Sequence, residues 1–204
     1  MIYRHSLSDN VTNNWLVDIS CNGLSVTKCN RVLAVFFEAK LIRDYATYGS
    51  LIREIILDKS IGNPMHCVQL STGNFVLSHW GDKHRVCIVD TSGHTIQTYG
   101  GSKGFDVGQL CFPCQLAADM HDNVLVVDNG NNRVQLLSPT LAYLGDIVKP
   151  GHGLHRPYTL HVDELNHRLY IGEWQGRRLF VLDVDKHDNI KDPLLKFPAQ
   201  ITIK

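Results

Sequence analysis

The stretch PCQLAADMHDNVLVVDNGNNRVQLL, residues 113–137, is repeated in altered form as PYTLHVDELNHRLYIGEWQGRRLFVL, residues 157–182. Each copy begins with a proline and continues with Leu-x-x-Asp, an apolar run and an acidic residue. A turn, an arginine and a second apolar run follow. Pro157 lies 44 residues after Pro113. A repeat of this length is typical of β-propellers and other repeat arrays, so it indicates the architecture before any single residue is interpreted.

Two weaker copies precede the strong ones. In the nearer copy, Arg85 takes the position of Arg133, whereas His79 stands where the strong copies have an acidic residue. In the farther copy only the apolar pattern remains. The repeat divides the chain into a polar N-terminal segment at 1–15 and four units, at 16–64, 65–113, 114–157 and 158–204.

The units are predicted to consist of β-strands. Each contains short apolar runs bounded by Gly, Asn, Asp or Pro, and none shows a sustained helical period. The helical alternative, residues 40–56, becomes two strands around the turn at 48–50 when it is aligned with the other units. In the strong copies the predicted strands are 115–118, 124–127, 133–137 and 141–147, then 159–162, 169–172, 178–182 and 194–203. Four strands per unit predict an all-β fold, a β-propeller with four recognisable blades.

An acidic residue and an arginine flank the second hairpin of each strong copy. Asp128 ends the second strand and Arg133 begins the third, so the hairpin brings their side chains face to face. Gly130 and the asparagines around it tolerate the positive φ angles that such a turn needs. Glu173 and Arg178 preserve the pair in the next copy. We interpret both pairs as structural clamps of the hairpin and not as catalytic pairs.

The bulk composition limits the functional classes. The 204 residues carry a formal net charge of zero, so the chain as a whole exerts no pull on nucleic acid or membranes. No run of about 18 apolar residues occurs, and the N-terminal segment lacks the basic start and apolar stretch of a signal peptide. These features predict a soluble, cytoplasmic protein. Its six cysteines lie mostly in apolar runs and are expected to be reduced.

The strong copies resemble NHL repeats. VLVVDNGNNRVQLL at 124–137 fits the NHL pattern of an apolar strand, Val-x-Asp, an Asn-containing turn and Arg-Val-x-hydrophobic, and LYIGEWQGRRLFVL at 169–182 fits with Glu in place of Asp. The match is weaker in the first two units. The resemblance extends to the C-terminal propellers of tripartite-motif NHL proteins. It implies a non-catalytic binding scaffold that recognises a protein partner or RNA in a ubiquitination pathway, where a RING domain carries the ligase activity.

The chain departs from this family pattern in two ways. Its one Cys-x-x-Cys, at Cys111 and Cys114, has no second pair at zinc spacing, so neither a RING nor a B-box is recognisable in the sequence. Propellers of that family have six blades, whereas four are recognisable here. An incomplete propeller would leave open sheet faces or edges that need a partner, and self-association is one expected outcome.

A variable position follows the aligned position of the acidic residue in each unit, at the tip of the second hairpin. In a propeller these tips meet at one face, so the aromatic residues among them are predicted to rim a common surface. The predicted ligand-binding face, with the cationic residues nearby, comprises Phe37, Trp80, Lys83, Arg85, Asn129, His155, Arg156, Trp174 and Arg177. Aromatic and cationic side chains together suit single-stranded RNA or a peptide with acidic or aromatic anchors. Packing of the same aromatics between blades is the structural alternative.

The functional alternative of a different class is a metal-dependent hydrolase or lyase on a six-bladed propeller. Such a site needs carboxylates, Asn or His that converge on the central channel. Asp119 and Asp163 are the repeated candidates, but turn capping explains their positions. None of the 11 histidines forms a His-x-x-x-His pattern, and His161 and His167 are expected at alternating strand positions. We predict no catalytic residue, no metal and no cofactor.

Overall fold

The computed structural model of the chain describes residues 2–5, 12–15, 20–176, 178–183 and 202–203. A hairpin of β1 (Ile2–His5) and β2 (Thr12–Trp15) precedes four antiparallel sheets of four strands each. In the described part of the chain, no helix is long and apolar enough to cross a membrane.

The four sheets follow one another along the chain. Sheet 1 contains β3 (Gly23–Val26), β4 (Val32–Phe36), β5 (Leu41–Tyr45) and β6 (Leu51–Ile56). Sheet 2 contains β7 (Asn63–Gln69), β8 (Phe75–Trp80), β9 (His84–Val89) and β10 (Thr95–Gly101). Sheet 3 contains β11 (Pro113–Ala118), β12 (Val124–Asp128), β13 (Arg133–Leu137) and β14 (Tyr143–Val148). Sheet 4 contains β15 (Pro157–Asp163), β16 (Arg168–Glu173), β17 (Leu179–Asp183) and β18 (Thr202–Ile203).

The sheets are arranged as the blades of a propeller. Their first strands contact one another in turn, β3 with β7, β7 with β11 and β11 with β15, and all four line a central channel. The prediction of an all-β propeller with four blades is confirmed. Residues 40–56 form β5 and β6 around a turn, as predicted. Of the strand predicted at 194–203, only Thr202–Ile203 falls within the described residues.

Apolar layers between neighbouring sheets form the core. Strand β12 shows how the sequence produces them, because all five of its residues are buried. Val124 and Val126 pack in the layer shared with sheet 2, whereas Leu125 and Val127 pack in the layer shared with sheet 4. A strand that is buried on both faces reads as a continuous apolar run, which is why this segment shows no polar alternation.

The chain reverses direction at two ends of the sheets. Turns between first and second strands lie at one end, which we call the lower end. Turns between second and third strands lie at the other, the upper end, together with the connections between sheets at 57–62, 102–112 and 149–156. This segregation follows because antiparallel strands alternate in direction. The residues predicted to bind a ligand belong to the upper end or adjoin it.

At the lower end, one carboxylate ties three sheets together. Asp122, in the first turn of sheet 3, accepts the backbone N–H of Ser71 at both carboxylate oxygens, over 3.1 and 2.9 Å. The Nζ of Lys28, in the first turn of sheet 1, lies 3.3 Å from the same carboxylate. Because Ser71 belongs to sheet 2, these contacts join sheets 1, 2 and 3 at the end opposite the candidate site.

Candidate binding face

The clamp of sheet 3 holds more than its own hairpin. The Nε of Arg133 donates to Asp128 Oδ2 over 2.8 Å, and both side chains are buried. Asp128 also accepts the backbone N–H of Cys111 over 2.7 Å. The guanidinium of Arg133 donates to the carbonyl oxygens of Phe105 and Gln109, over 3.0 and 2.9 Å. The pair therefore fixes the connection that enters the sheet as well as the turn between β12 and β13.

The clamp of sheet 4 repeats this arrangement. The Nη2 of Arg178 lies 2.7 Å from Glu173 Oε1, which also accepts the backbone N–H of His155 over 2.7 Å. The same nitrogen donates to the carbonyl oxygen of Gly153 over 2.9 Å. Burial opposes ionisation of Glu173, but the hydrogen bonds from Arg178 and His155 outweigh it and lower the pKa of the carboxyl group. By contrast, the deeper burial of Asp128 raises its pKa in spite of three hydrogen bonds.

In sheet 2 a neutral histidine replaces the acidic residue and accepts a backbone N–H of the preceding connection. His79 pairs with Arg85 across β8 and β9, as Asp128 does with Arg133 across β12 and β13. The Nδ1 of His79 accepts the backbone N–H of Gly62, in the preceding connection, over 3.4 Å. Burial, and next to it the charge of Arg85, lower the pKa of His79 to about 4. The Nε of Arg85 has no hydrogen-bond partner among the described residues.

Three aromatic rings from two sheets and a connection form a contact series at the upper end, which we call the aromatic row. The ring centroids of Phe37 and Trp80 lie 5.9 Å apart, and those of Trp80 and Phe112 lie 5.6 Å apart at an interplanar angle of 76°. The Nζ of Lys103 lies 4.7 Å from the Phe112 centroid, a cation–π distance. All three rings are partly exposed, and Phe112 is 37% accessible to solvent.

The backbone at Phe112 is strained. Its φ of 52° is left-handed, although a proline follows and favours extended backbone at this position. The Phe112 N–H donates to Nδ1 of His84 over 2.7 Å, and the two rings meet edge to face. Arg156 also precedes a proline, has a φ of 45° and donates its N–H to Asn132 Oδ1 over 2.7 Å. Such conformations cluster at sites where the surrounding structure holds a functional side chain in place.

A second aromatic pair lies on sheet 4. The rings of Tyr158 and Trp174 meet at a centroid distance of 4.6 Å. The backbone N–H of Trp174 donates to the carbonyl oxygen of Arg156 over 2.8 Å, which holds the turn after β16 against the incoming connection. Trp174, His155 and Arg156 are exposed. The described ring contacts of Trp174 are with Tyr158 and not with the aromatic row.

The predicted face thus divides into several parts. Phe37 and Trp80 contact each other, whereas Trp174 lies in the separate pair. Asn129 is buried and donates its side-chain amide to the carbonyl oxygen of Pro157 over 2.8 Å, so it lies beneath the exposed surface, and its place in the ligand-binding face stays a prediction. The tight 3-10 turn at 129–131 carries this side chain inward.

Lys83 is exposed in the turn after β8, whereas Arg85 belongs to β9, as its alignment with Arg133 predicts, and is half-buried. One strand assignment needs correction. His167 lies in the turn between β15 and β16 and not at a strand position. Arg177 lies outside the described residues.

Sequence reasoning missed Phe112 and the exposed side chains of the 102–110 loop, the segment that joins β10 to β11 before Cys111. The signal was the stretch GGSKGFDVG, in which apolar residues interrupt a glycine-rich run. The repeat alignment concealed it, because connections differ in length between units. The loop lies beside the aromatic row, since Lys103 reaches the ring of Phe112.

The described residues contain no group of three or more His, Cys, Asp or Glu side chains that could hold a metal. Asp119 accepts the backbone N–H groups of His121 and Asn123, each over 2.8 Å, which is a turn-capping arrangement. All six cysteines are free. Burial raises the pKa of Cys111, and that of Cys114 to about 12, so these thiols remain protonated near neutral pH.

Comparisons with known proteins bear on the fold. No protein-family model matches the sequence, and no curated protein matches it. Among solved structures, the chain is similar to a chain of the nidogen/laminin complex, with 18% identity, a TM-score of 0.65, and coverage of 89% of this chain and 66% of that one. It is similar to virginiamycin B lyase from Staphylococcus aureus, with 14% identity, a TM-score of 0.63 and coverage of 89% and 59%.

A third similar structure is the β-propeller domain of Cps50 (Swd1) from Myceliophteria thermophila, with 12% identity, a TM-score of 0.66 and coverage of 95% of this chain and 62% of that one. The chain thus spans less than two thirds of the length of these three structures. They include both a lyase and a protein complex. At such identities the likeness shows the fold alone, and that fold is the β-propeller.

Proposed function

We propose that this chain is a non-catalytic propeller scaffold that binds a protein partner through its upper end. The observation that carries the proposal is the aromatic row of Phe37, Trp80 and Phe112. Partly exposed aromatic side chains that are already held in place provide contact area with little further loss of conformational entropy.

A protein partner fits the local charges better than RNA. Lys40, Lys83 and Lys103 are cationic, but the exposed acids Glu38, Asp82 and Asp106 lie in the same turns and connection. RNA binding depends on a groove of positive potential that follows the phosphate backbone. Mixed charges around an aromatic centre are typical of the polar rim of a protein interface.

The resemblance to NHL repeats supports a role in recruiting a partner. In tripartite-motif NHL proteins, a propeller of this kind recruits partners for a RING domain, and we extend that role, in the cytoplasm, to this chain. The similarity to a chain of the nidogen/laminin complex also favours protein binding, because that structure is a complex between proteins. The similarity to a lyase gives no residue of this chain a catalytic role.

A selection of random displayed peptides on the purified chain tests the proposal. The affinity of each selected peptide is measured by fluorescence anisotropy with the wild type, Trp80→Ala, Trp80→Phe and Met120→Ala. We expect Trp80→Ala to weaken binding by about tenfold or more, as truncation of a central aromatic anchor does. Trp80→Phe should retain most of the affinity. Met120, an exposed residue of the lower end, is the matched control and should have no effect.

The same assay with labelled single-stranded RNA separates the classes. RNA that binds in a Trp80-dependent manner, without any selected peptide, would replace the protein partner by RNA. Peptide binding that is insensitive to Trp80→Ala would overturn the assignment of the site. Elemental analysis that finds stoichiometric calcium or zinc would favour the metal-dependent enzyme instead. Sedimentation of the same preparation determines whether the chain self-associates, as an incomplete propeller would.

A further inference from the structure

The 102–110 loop exposes two large apolar side chains. Phe105 is 72% and Val107 is 67% accessible to solvent. Scattered exposed apolar residues are ordinary, but here two of them alternate with the carboxylate of Asp106 at the tip of one loop. Both apolar side chains are therefore exposed to solvent, and replacing them should not disturb the packing of the core.

Hydrogen bonds from the protein hold this loop in one shape. Besides the two contacts of Arg133 to carbonyl oxygens of the loop, Asn131 donates its side-chain amide to the carbonyl oxygen of Gly104 over 2.7 Å. The N–H of Gly108 donates to the hydroxyl of Tyr99 over 3.2 Å. Within the loop, Gln109 Oε1 accepts the N–H of Asp106 over 3.3 Å. Because the loop is already ordered, little conformational entropy is lost when a partner binds to it.

The loop also continues the surface of the aromatic row. Lys103, near its start, lies over the ring of Phe112, and a bridge between Lys103 and Leu110 closes its two ends. The base of the loop therefore adjoins the aromatic row. A partner seated on the row would meet the loop at its edge.

We propose that the 102–110 loop is a docking finger that inserts Phe105 and Val107 into an apolar cleft of a folded protein partner. This inference rests on the proposed function and identifies the shape of its partner. Two projecting apolar side chains are buried on binding only if the partner offers a concave apolar surface. Asp106 between them calls for a cationic or amide group at the rim of the cleft. The same carboxylate opposes nucleic acid, because it would face the phosphates.

Crosslinking followed by affinity measurement tests the finger. The photo-crosslinking residue para-benzoylphenylalanine replaces Phe105, or in parallel Leu165, which is an even more exposed position at the lower end. The full chain is irradiated in an extract of its source cells. Any protein crosslinked at 105 but not at 165 is then produced in purified form. Its Kd is measured with the wild type, Phe105→Ser/Val107→Ser, Trp80→Ala and the control Met120→Ser/Leu165→Ser.

We expect the Phe105→Ser/Val107→Ser chain to bind the purified partner at least about tenfold more weakly, and the control chain to bind as the wild type does. Circular dichroism should show both chains folded, because the exchanged side chains are exposed. Unchanged affinity of the loop variant, or no protein crosslinked at 105, overturns the inference.

The outcomes also separate this inference from the proposed function. Loss of binding with Trp80→Ala but not with the loop variant leaves the proposed function standing and refutes the finger. Insensitivity to both variants refutes both. RNA crosslinked at 105 in place of protein contradicts the finger as well, because the carboxylate argument would then be wrong.

Discussion

Replacing Arg133 by methionine should destabilise the fold by about 3–5 kcal/mol, the usual cost of removing one partner from a buried ion pair. The side chain of Arg133 is 7% exposed and that of Asp128 is 0% exposed, so the remaining carboxylate would lie in the core without a counter-charge. Arg178→Met is the matched control. Its side chain is 40% exposed, so solvent reaches this pair from the arginine side although the Glu173 side chain is only 5% exposed, and the expected loss is about 1–3 kcal/mol.

Urea unfolding at neutral pH measures both losses. In a thermal scan, Arg133→Met should lower the Tm by about 6–20 °C, given roughly 2–4 °C per kcal/mol for a domain of this size.

The pH dependence gives a second test. Burial already raises the pKa of Asp128 in the wild type, and loss of the arginine raises it further. The loss of unfolding free energy caused by Arg133→Met should therefore become smaller as the pH falls and the Asp128 carboxylate is protonated. Equal losses in the two variants, or a loss that does not change with pH, would refute charge burial as the cause.

His79→Asp should raise the stability by about 1 kcal/mol at neutral pH, because a carboxylate could accept the Nε hydrogen of Arg85; a lower urea midpoint would contradict this. Burial lowers the pKa values of His66, in β7, and of His79 from 6.5 to about 4, so both stabilise the fold above pH 6.5 and lose that contribution as the pH falls from 6.5 to about 4. The loss is about 3 kcal/mol for each histidine, and His79→Asn, which keeps an acceptor but does not titrate, should flatten the measured slope. Gly23→Ala would place a Cβ 2.3 Å from the carbonyl oxygen of Met65. It should cost about 1–3 kcal/mol in thermal unfolding, and an unchanged Tm would contradict the close approach of β3 to β7.

The parts of this fold that depend on neighbours in sequence could be predicted. The spacing of Asp128 and Arg133 predicts a hairpin because the two residues face each other across a single turn, and the strands β12 and β13 lie where the apolar runs place them. The helical alternative at 40–56 was rejected for the same reason, since alignment with the repeat outweighs a local helical period.

The binding face could be predicted only in part, because it depends on how sheets dock. Phe37 and Trp80 stand at aligned positions of neighbouring units, and docking brings them into contact. Phe112 belongs to a connection whose length varies, so alignment gives it no counterpart in the other units. The inward rotation of Asn129 depends on a 3-10 turn that the pattern of asparagines and glycine does not specify.

The clamps have a consequence for the order in which the surface is completed. Each connection leaves one sheet, but the acid, or the histidine in sheet 2, that fixes its backbone belongs to the sheet that follows. During synthesis, each connection emerges from the ribosome before the residues that fix its backbone, and it acquires its final form only when the next hairpin has closed. A chain that stops before residue 131 would carry every residue of the 102–110 loop but neither Asn131 nor Arg133 to anchor it. In such a chain the loop would have its full sequence but not the hydrogen bonds that fix its shape.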